Sequence, residues 1–254
     1  MATEGAGWER LARRALQLAA AYRQQHQPLT PDRLARGIGY SWREAPLAGR
    51  DGLLEPQSRT ILVAAGQPAV RQRFTLAHEV MHHLIENDGD LLSDLHEEYE
   101  GRELEAALER LCNLGAAEML IPAAAVEAAV RDAGPNPRLV WELAGRFAVS
   151  EPAAAVALGR ALGPNAQVSI WGGRPLRLYF AAGFAAPGRG LVLPRRHPLS
   201  EVGQSGLPWR GRLELPGGAA GQVWARSRGG RVYAVATGLR SLAAPSGQGS
   251  GDLV

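Results

Sequence analysis

Three residues that can do chemistry stand close together at His78-Glu79-Val80-Met81-His82, an H-E-x-x-H pattern. On a helix, residues four apart lie one turn apart on one face, so both imidazoles can reach a single cation. Glu79 falls about 100° around the helix from His78, which sets its carboxylate beside such a cation rather than on it. That is the place of a general base. A cation acidifies the attacking water, the carboxylate takes its proton, and the same group hands the proton to a leaving amine. With six histidines and 18 glutamates in 254 residues, chance supplies about 0.01 such patterns per chain. Two unrelated histidines on a half-exposed helix face is therefore the poorer reading.

A catalytic zinc takes three protein ligands and keeps one position open, so a third must come from further on. His83 and Glu86 share the helix but are expected to point away from the His78/His82 face. The acids of residues 88–100 read as a solvated charge run. Glu109 differs, because Cys112, Asn113 and Ala116 follow it at helical spacing. Those neighbours are small or apolar, the profile of a packed surface, and a carboxylate turned into one needs a strong partner. An exposed Glu109 paired with Arg102 or Arg110 is the plainer alternative. Spacing alone leaves both Glu109 and Glu105 open. Two imidazoles and a carboxylate suit zinc, and manganese or iron also accept them. Asp90, Asp94 and Asn113 are available to orient the imidazoles. Tyr99, His96 and Arg73 are the types that stabilise an oxyanion.

The elements that must position these groups follow from periodicity. Residues 6–25 carry Trp8, Leu11, Ala15, Leu16, Ala19 and Tyr22 on one helical stripe. Three short strands are expected near Ile38–Trp42, Gly52–Leu54 and Thr60–Ala64. A helix starts at about Pro68 with the stripe Val70, Phe74, Ala77, Met81 and Leu84, and ends at Asn87–Gly89. After the acidic loop, a second helix covers about Arg102–Leu120, with Leu104, Leu108, Leu111 and Gly115 on one face, and Pro122 closes it. Residues 123–163 are Ala-rich and helical, broken at Gly134–Pro137. Beyond Pro164, strands are expected at Val168–Trp171, Leu176–Phe180, Gly190–Leu193, Arg210–Leu215, Gly221–Ala225 and Val232–Ala236. The Ser/Gly-rich end, residues 243–254, reads as a disordered tail.

Composition bounds the class. Apolar residues make up 46% and charged residues 21%, a globular balance. No apolar run is long enough to span a membrane, and the N-terminus lacks a signal-peptide core. The lone Cys112 cannot form an internal disulfide, so the cytoplasm is the expected compartment. All 28 basic residues are arginine. Residues 166–254 hold 11 arginines against 3 acids, while residues 1–165 hold 17 against 22. A basic C-terminal third can attract nucleic acid, but its arginines are scattered rather than in runs.

The stretch Arg73-Phe74-Thr75-Leu76-Ala77-His78-Glu79 resembles the ImmA/IrrE family of metallopeptidases. The likeness continues through Glu109-Arg110-Leu111-Cys112-Asn113 and Ala116-Ala117-Glu118-Met119-Leu120-Ile121-Pro122. Asp90-Leu91-Leu92-Ser93-Asp94 and Tyr99-Glu100-Gly101 are similar to its IrrE branch, the radiation- and desiccation-response regulators. The resemblance implies that His78, His82 and Glu109 hold Zn2+, or Mn2+, and that Glu79 is the catalytic base. It implies an α+β chain in three parts: a zincin-like peptidase domain over residues 1–122, a helix-turn-helix-like helical domain over 123–163, and a GAF-like α/β domain over 164–242. It further implies cleavage of a helix-turn-helix repressor, DdrO-like, that switches on a DNA-damage response, and a small-molecule signal at the GAF-like domain. The family usually has Gly where this chain has Met81, which alters packing behind the site.

A rival function is legible in residues 139–162. Leu143-Ala144, Phe147, Val149-Ser150, Ala154 and Leu158 have helix-turn-helix spacing, with Ser150 as N-cap. A DNA-binding regulator would use that unit and the basic C-terminal part. Base readout needs Arg, Lys, Asn or Gln early in the second helix, and this one begins Glu151-Pro152-Ala153-Ala154-Ala155. A helical linker packed on the peptidase domain, which can also dock the repressor, is the better reading, and specific DNA binding is not expected.

Overall fold

The structure, a computed structural model, describes residues 2–216 and 218–241. The tail expected over residues 243–254 lies outside the described residues. The chain divides into two compact units. One runs to Ala125 and takes in Leu143–Ala153; the other holds Val126–Glu142 and the chain from Ala154 on. The helices of residues 123–163 are thus shared between the units.

The first unit opens with α1 (Ala2–His26) and α2 (Pro31–Arg36), followed by β1 (Ser41–Ala45), β2 (Gly52–Glu55) and β3 (Thr60–Ala64). Then come α3 (Ala69–Glu86), α4 (Gly89–Glu98) and α5 (Gly101–Leu120). The stripe expected on α1 is largely the one buried: Leu11, Ala15, Ala19 and Tyr22 all face the core. The Tyr22 hydroxyl donates to the Leu34 carbonyl at 2.6 Å, tying α1 to α2. Arg23 donates to the Met119 carbonyl at 2.6 Å and so caps the C-terminal end of α5.

The three strands form one sheet in the order β1-β3-β2, with β1 parallel and β2 antiparallel to β3. Central β3, Thr-Ile-Leu-Val-Ala, is buried on both faces for most of its length, which explains its continuous apolar run. The first strand starts at Ser41, later than expected, because Gly37 and Gly39 still belong to the turn that leaves α2.

Residues 88–100 correct the expectation of a loop. They fold as α4, because acidic surface residues hide a helical pair, Leu91 and Leu95, four apart and both buried. Asp88 caps the helix, its side chain accepting from Leu91 N at 2.9 Å. It also accepts from Arg14 of α1 at 2.7 Å. Burial alone would raise the Asp88 pKa; the Arg14 and Leu91 hydrogen bonds outweigh it and hold the carboxyl below its ordinary value of 3.8. Asp88→Ala is therefore expected to cost about 1 kcal/mol in urea unfolding at neutral pH. A group with a depressed folded-state pKa stabilises above its unfolded pKa and loses that effect as pH falls through the folded one. The gap between wild type and variant should close below pH 3.8; a gap that persists there would mean the carboxylate charge is irrelevant.

The register of α3 also differs from expectation. Its core face is Leu76, Ala77, Val80, Met81 and Ile85, whereas Val70 is exposed and Leu84 only half-buried. On α5 the buried face is Ala107, Leu111, Cys112, Gly115, Ala116 and Met119, with Leu104 and Leu108 at its margin. Burial pushes the Cys112 thiol pKa up and keeps it protonated.

Helices α6 (Ala123–Ala133), α7 (Arg138–Phe147) and α8 (Glu151–Leu162) follow. Ser150 accepts from Ala153 N at 3.3 Å, the cap its position predicts. The second unit then holds β4 (Gln167–Gly172), β5 (Arg177–Gly183), α9 (Pro198–Ser205), β6 (Trp209–Leu215), β7 (Ala219–Arg228) and β8 (Arg231–Ser241). These strands make one antiparallel sheet in the order β5-β4-β8-β7-β6. Leu199 and Val202 of α9 join Val223, Val232 and Trp171 in its core.

Gly190–Leu193 is not a full strand: it makes one bridge, Arg177 to Val192, although Leu191 and Leu193 bond to the edge of β5. Helix α9 was not expected, despite Pro198 at its start and left-handed Gly206 at its end. Gly203 and its shortness mask the helical pattern. Among the described residues no single helix is long and apolar enough to cross a membrane.

Candidate metal centre

Helix α3 presents His78 and His82 one turn apart, and α5 packs across it to bring Glu109 over both rings. His78 Nε2 and His82 Nε2 lie 3.1 Å apart. Each lies 3.3 Å from one Glu109 carboxylate oxygen. Three ligands held at 2.0–2.1 Å from a tetrahedral ion stand about 3.3 Å from one another. The triangle is therefore the right size to be one face of that tetrahedron, with the fourth vertex free. These three residues are the one His/Cys/Asp/Glu cluster of ligand-like spacing among the described residues.

The expectation for Glu109 was a carboxylate turned into a packed surface. Its side chain is instead 56% exposed, at the rim of a cavity of about 690 Å³. What places it is the close approach of α5 to α3. Gly115 makes that approach possible: a Cβ there would stand 2.3 Å from Met81 Cε. Met81 fills the space behind the site against this bare backbone. Glu105 is exposed and does not line the cavity. The Arg110 partner considered for Glu109 lies over the Trp8 ring instead.

Glu79, about a quarter-turn around α3 from His78, is 9% exposed and lines the same cavity. Burial first, then the nearby Glu109 and Glu86 charges, raise its pKa to about 7, against a lowering hydrogen bond from the Leu54 backbone. Gly52 of β2 leaves room for it. A Cβ at that position would sit 2.6 Å from Glu79 Oε1 and 2.6 Å from Thr75 Cγ2. The carboxylate is thus wedged between a helix and an edge strand, on the wall of the cavity that His78, His82 and Glu109 also line. His78 is pushed below its ordinary pKa by burial and then by His82, with Glu109 opposing. That keeps a ring nitrogen free to ligate near neutral pH.

Glu86 was expected to point away and does not. It lines the cavity, since residues 78, 82 and 86 repeat at four-residue spacing on one stripe. Of the groups considered for orienting the rings, Asn113 lines the cavity and donates to the Glu109 carbonyl at 2.8 Å. Asp94 pairs instead with Arg10 at 3.4 Å, and Asp90 acts on Arg14. None of the oxyanion candidates lines the cavity. Arg73 donates to the Leu29 and Phe147 carbonyls at 2.9 and 2.5 Å and is a structural tie. His96 and Tyr99 sit at the end of α4. Arg50, Arg71 and Phe74 line the cavity instead, and Arg71 pairs with Asp51. Gly52, at the start of β2, carried a readable signal, since a strand glycine marks a close approach.

Comparison with known proteins finds relatives for this part of the chain. The family model described as the IrrE N-terminal-like domain matches residues 38–158. The radiation response metalloprotease IrrE of Deinococcus deserti is 46% identical over 119 residues, 47% of this chain and 42% of that protein. The IrrE of Deinococcus radiodurans is 41% identical over 142 residues, 56% of this chain and 43% of its own length. The matches thus span less than half the length of these curated relatives. A solved Mycobacterium tuberculosis transcriptional regulator aligns over 93% of this chain and 82% of its own, with a TM-score of 0.49 and 13% identity, a likeness too distant to bear on function. The His78-Glu79-x-x-His82 helix, the sheet beside it and the helix that carries Glu109 all fall inside residues 38–158, the part of the chain that matches the IrrE N-terminal-like domain.

Proposed function

We propose that the chain is a zinc-dependent endopeptidase that cleaves a DdrO-like helix-turn-helix repressor in the cytoplasm and so switches on a radiation or DNA-damage response. The observation that carries this reading is the triangle of His78, His82 and Glu109 beside the buried Glu79. Zinc fits the donor set and the spacing; when bound it would polarise the scissile carbonyl and acidify the attacking water. The chain's own part is positional. His78, His82 and Glu109 hold the cation and leave one vertex open. Glu79 takes a proton from the nucleophile and returns it to the leaving amine. Strand β2 is an edge of its sheet and borders the cavity. An extended substrate pairing with it would lay its main chain across the site.

The same reading carries a finer division. The peptidase part corresponds to a zincin-like domain, residues 123–163 to a helix-turn-helix-like docking element, and residues 164–242 to a GAF-like sensor for a small molecule. The start of α8, Glu151-Pro152-Ala153, offers no base-reading group, so DNA recognition falls to the substrate.

Incubation of the purified chain with such a repressor and zinc should yield two fragments by mass spectrometry. A chelator should stop the cleavage and added zinc restore it. Specific duplex binding with no fragments would favour the regulator reading instead. Within the site, Gly52→Ala should lower kcat/KM by about 10²-fold with zinc content unchanged, because its methyl group claims the space of Glu79 Oε1. Unaltered kinetics would show that the strand does not place the base.

A further inference from the structure

The second unit has a cavity of its own, of about 560 Å³. It lies between α9, the β4–β5 turn and the β7–β8 turn. Its volume is that of a small-molecule site. Leu176 and Leu193 form an apolar floor, and both are buried. Two arginines, Arg174 and Arg195, line it, and no acidic side chain does. Neither arginine makes an ion pair among the described residues. Glu201, the one acid of α9, acts on His197 at the helix start.

One polar group there is unexplained. Ser200 is 5% exposed and lines the cavity, yet its hydroxyl has no hydrogen-bond partner. A helical serine commonly satisfies itself on the carbonyl one turn back. Ser205 of the same helix does so, donating to the Glu201 carbonyl at 2.8 Å. A buried hydroxyl left open is costly unless something else completes it. The backbone at the start of α9 is not that something. Leu199 N donates to His197 Nδ1, and Ser200 N and Glu201 N both donate to the His197 carbonyl.

We infer that this cavity binds a small molecule whose phosphate monoester meets Arg174, Arg195 and Ser200 and whose apolar body rests on Leu176 and Leu193. Two guanidiniums match a dianion in charge and offer forked donors to its oxygens. An oxygen of the same group gives the Ser200 hydroxyl the acceptor it lacks. Gln204, which lines the cavity and donates to the Arg195 carbonyl at 3.4 Å, holds the backbone that carries one of the arginines. The inference gives a chemical class to the small-molecule signal proposed for residues 164–242 and stands apart from the peptidase activity.

Calorimetric titration of the full chain with phenyl phosphate tests it, with benzoate and benzyl alcohol as separate titrants. Saturable binding of phenyl phosphate is expected. Arg174→Ala and Arg195→Ala, both at exposed positions, should each weaken it by at least about tenfold. Ser200→Ala should weaken it as well while the protein keeps a cooperative unfolding transition. No saturation at millimolar phenyl phosphate would overturn the inference, and so would an affinity unmoved by the arginine substitutions. Equal binding of benzyl alcohol would remove the anion requirement, and tighter binding of benzoate would replace the phosphate with a carboxylate. Because the readout is binding alone, a failure of repressor cleavage leaves it untouched.

Discussion

Glu79→Gln should retain zinc and lose peptide-bond cleavage by about 10³-fold, the scale of a lost general base. The carboxylate is no ligand in this geometry: the three donor atoms that meet belong to His78, His82 and Glu109. Gln is nearly isosteric and can still accept from the Leu54 backbone N–H that Glu79 engages. Only the capacity to take a proton disappears. Metal analysis and turnover on the same preparation separate the two roles. Zinc lost together with activity would make Glu79 structural; cleavage retained would remove it from the chemistry. The pH dependence of stability gives an independent check on the chain stripped of metal. Burial and the Glu109 and Glu86 charges raise the folded-state pKa of Glu79 to about 7 from 4.5. A carboxyl raised on folding destabilises the protein as pH climbs from its unfolded pKa to its folded one. The Gln variant should therefore be the more stable above pH 7 and lose that advantage in acid.

What could be read ahead of the structure was what local spacing encodes. The pair His78/His82 is an intrahelical relation, fixed by the pitch of α3, and so is the side on which Glu79 falls. The three small strands were readable because turn residues bracket their apolar runs, although β1 was placed too early. Relations between elements were not readable. Local spacing favours Glu109 over Glu105 only through its small and apolar neighbours and does not decide between them. The choice depends on how α5 crosses α3, and that depends on Gly115 yielding to Met81. The resemblance named Glu109, but the expected reason, a buried carboxylate, was wrong. Helix α4 was missed because charge density was read before periodicity, and its two buried leucines were enough to decide it. The misplacement of Glu86 was an error of phase on a helix whose spacing was already known. The oxyanion candidates failed for the opposite reason: type alone named Arg73, while its partners are backbone carbonyls far along the chain.

Glu109→Ala should weaken zinc binding by at least about 10²-fold, more than is typical for loss of an outer-shell partner, while leaving the fold intact. Both halves of that expectation come from one feature. The Glu109 side chain is 56% exposed, so its removal opens no cavity and strips no core contact, and unfolding should shift by less than about 0.5 kcal/mol. Yet it supplies two of the three edges of the ligand triangle, one to each imidazole. It is also the one anionic donor in that triangle, so a dication held by the histidines alone would keep its full charge. Glu86 lines the same cavity and could draw the ion toward itself, but its carboxylate is not among the clustered donor atoms. Glu105→Ala is the matched control, an exposed glutamate one turn earlier on the same helix, and should keep its zinc. Equal metal in wild type and Glu109→Ala would move the third ligand to Glu86 and undo the two-helix site. Loss in Glu109→Ala with retention in Glu105→Ala would fix the cation between α3 and α5, where Glu79 and the edge of β2 can act on whatever peptide it holds.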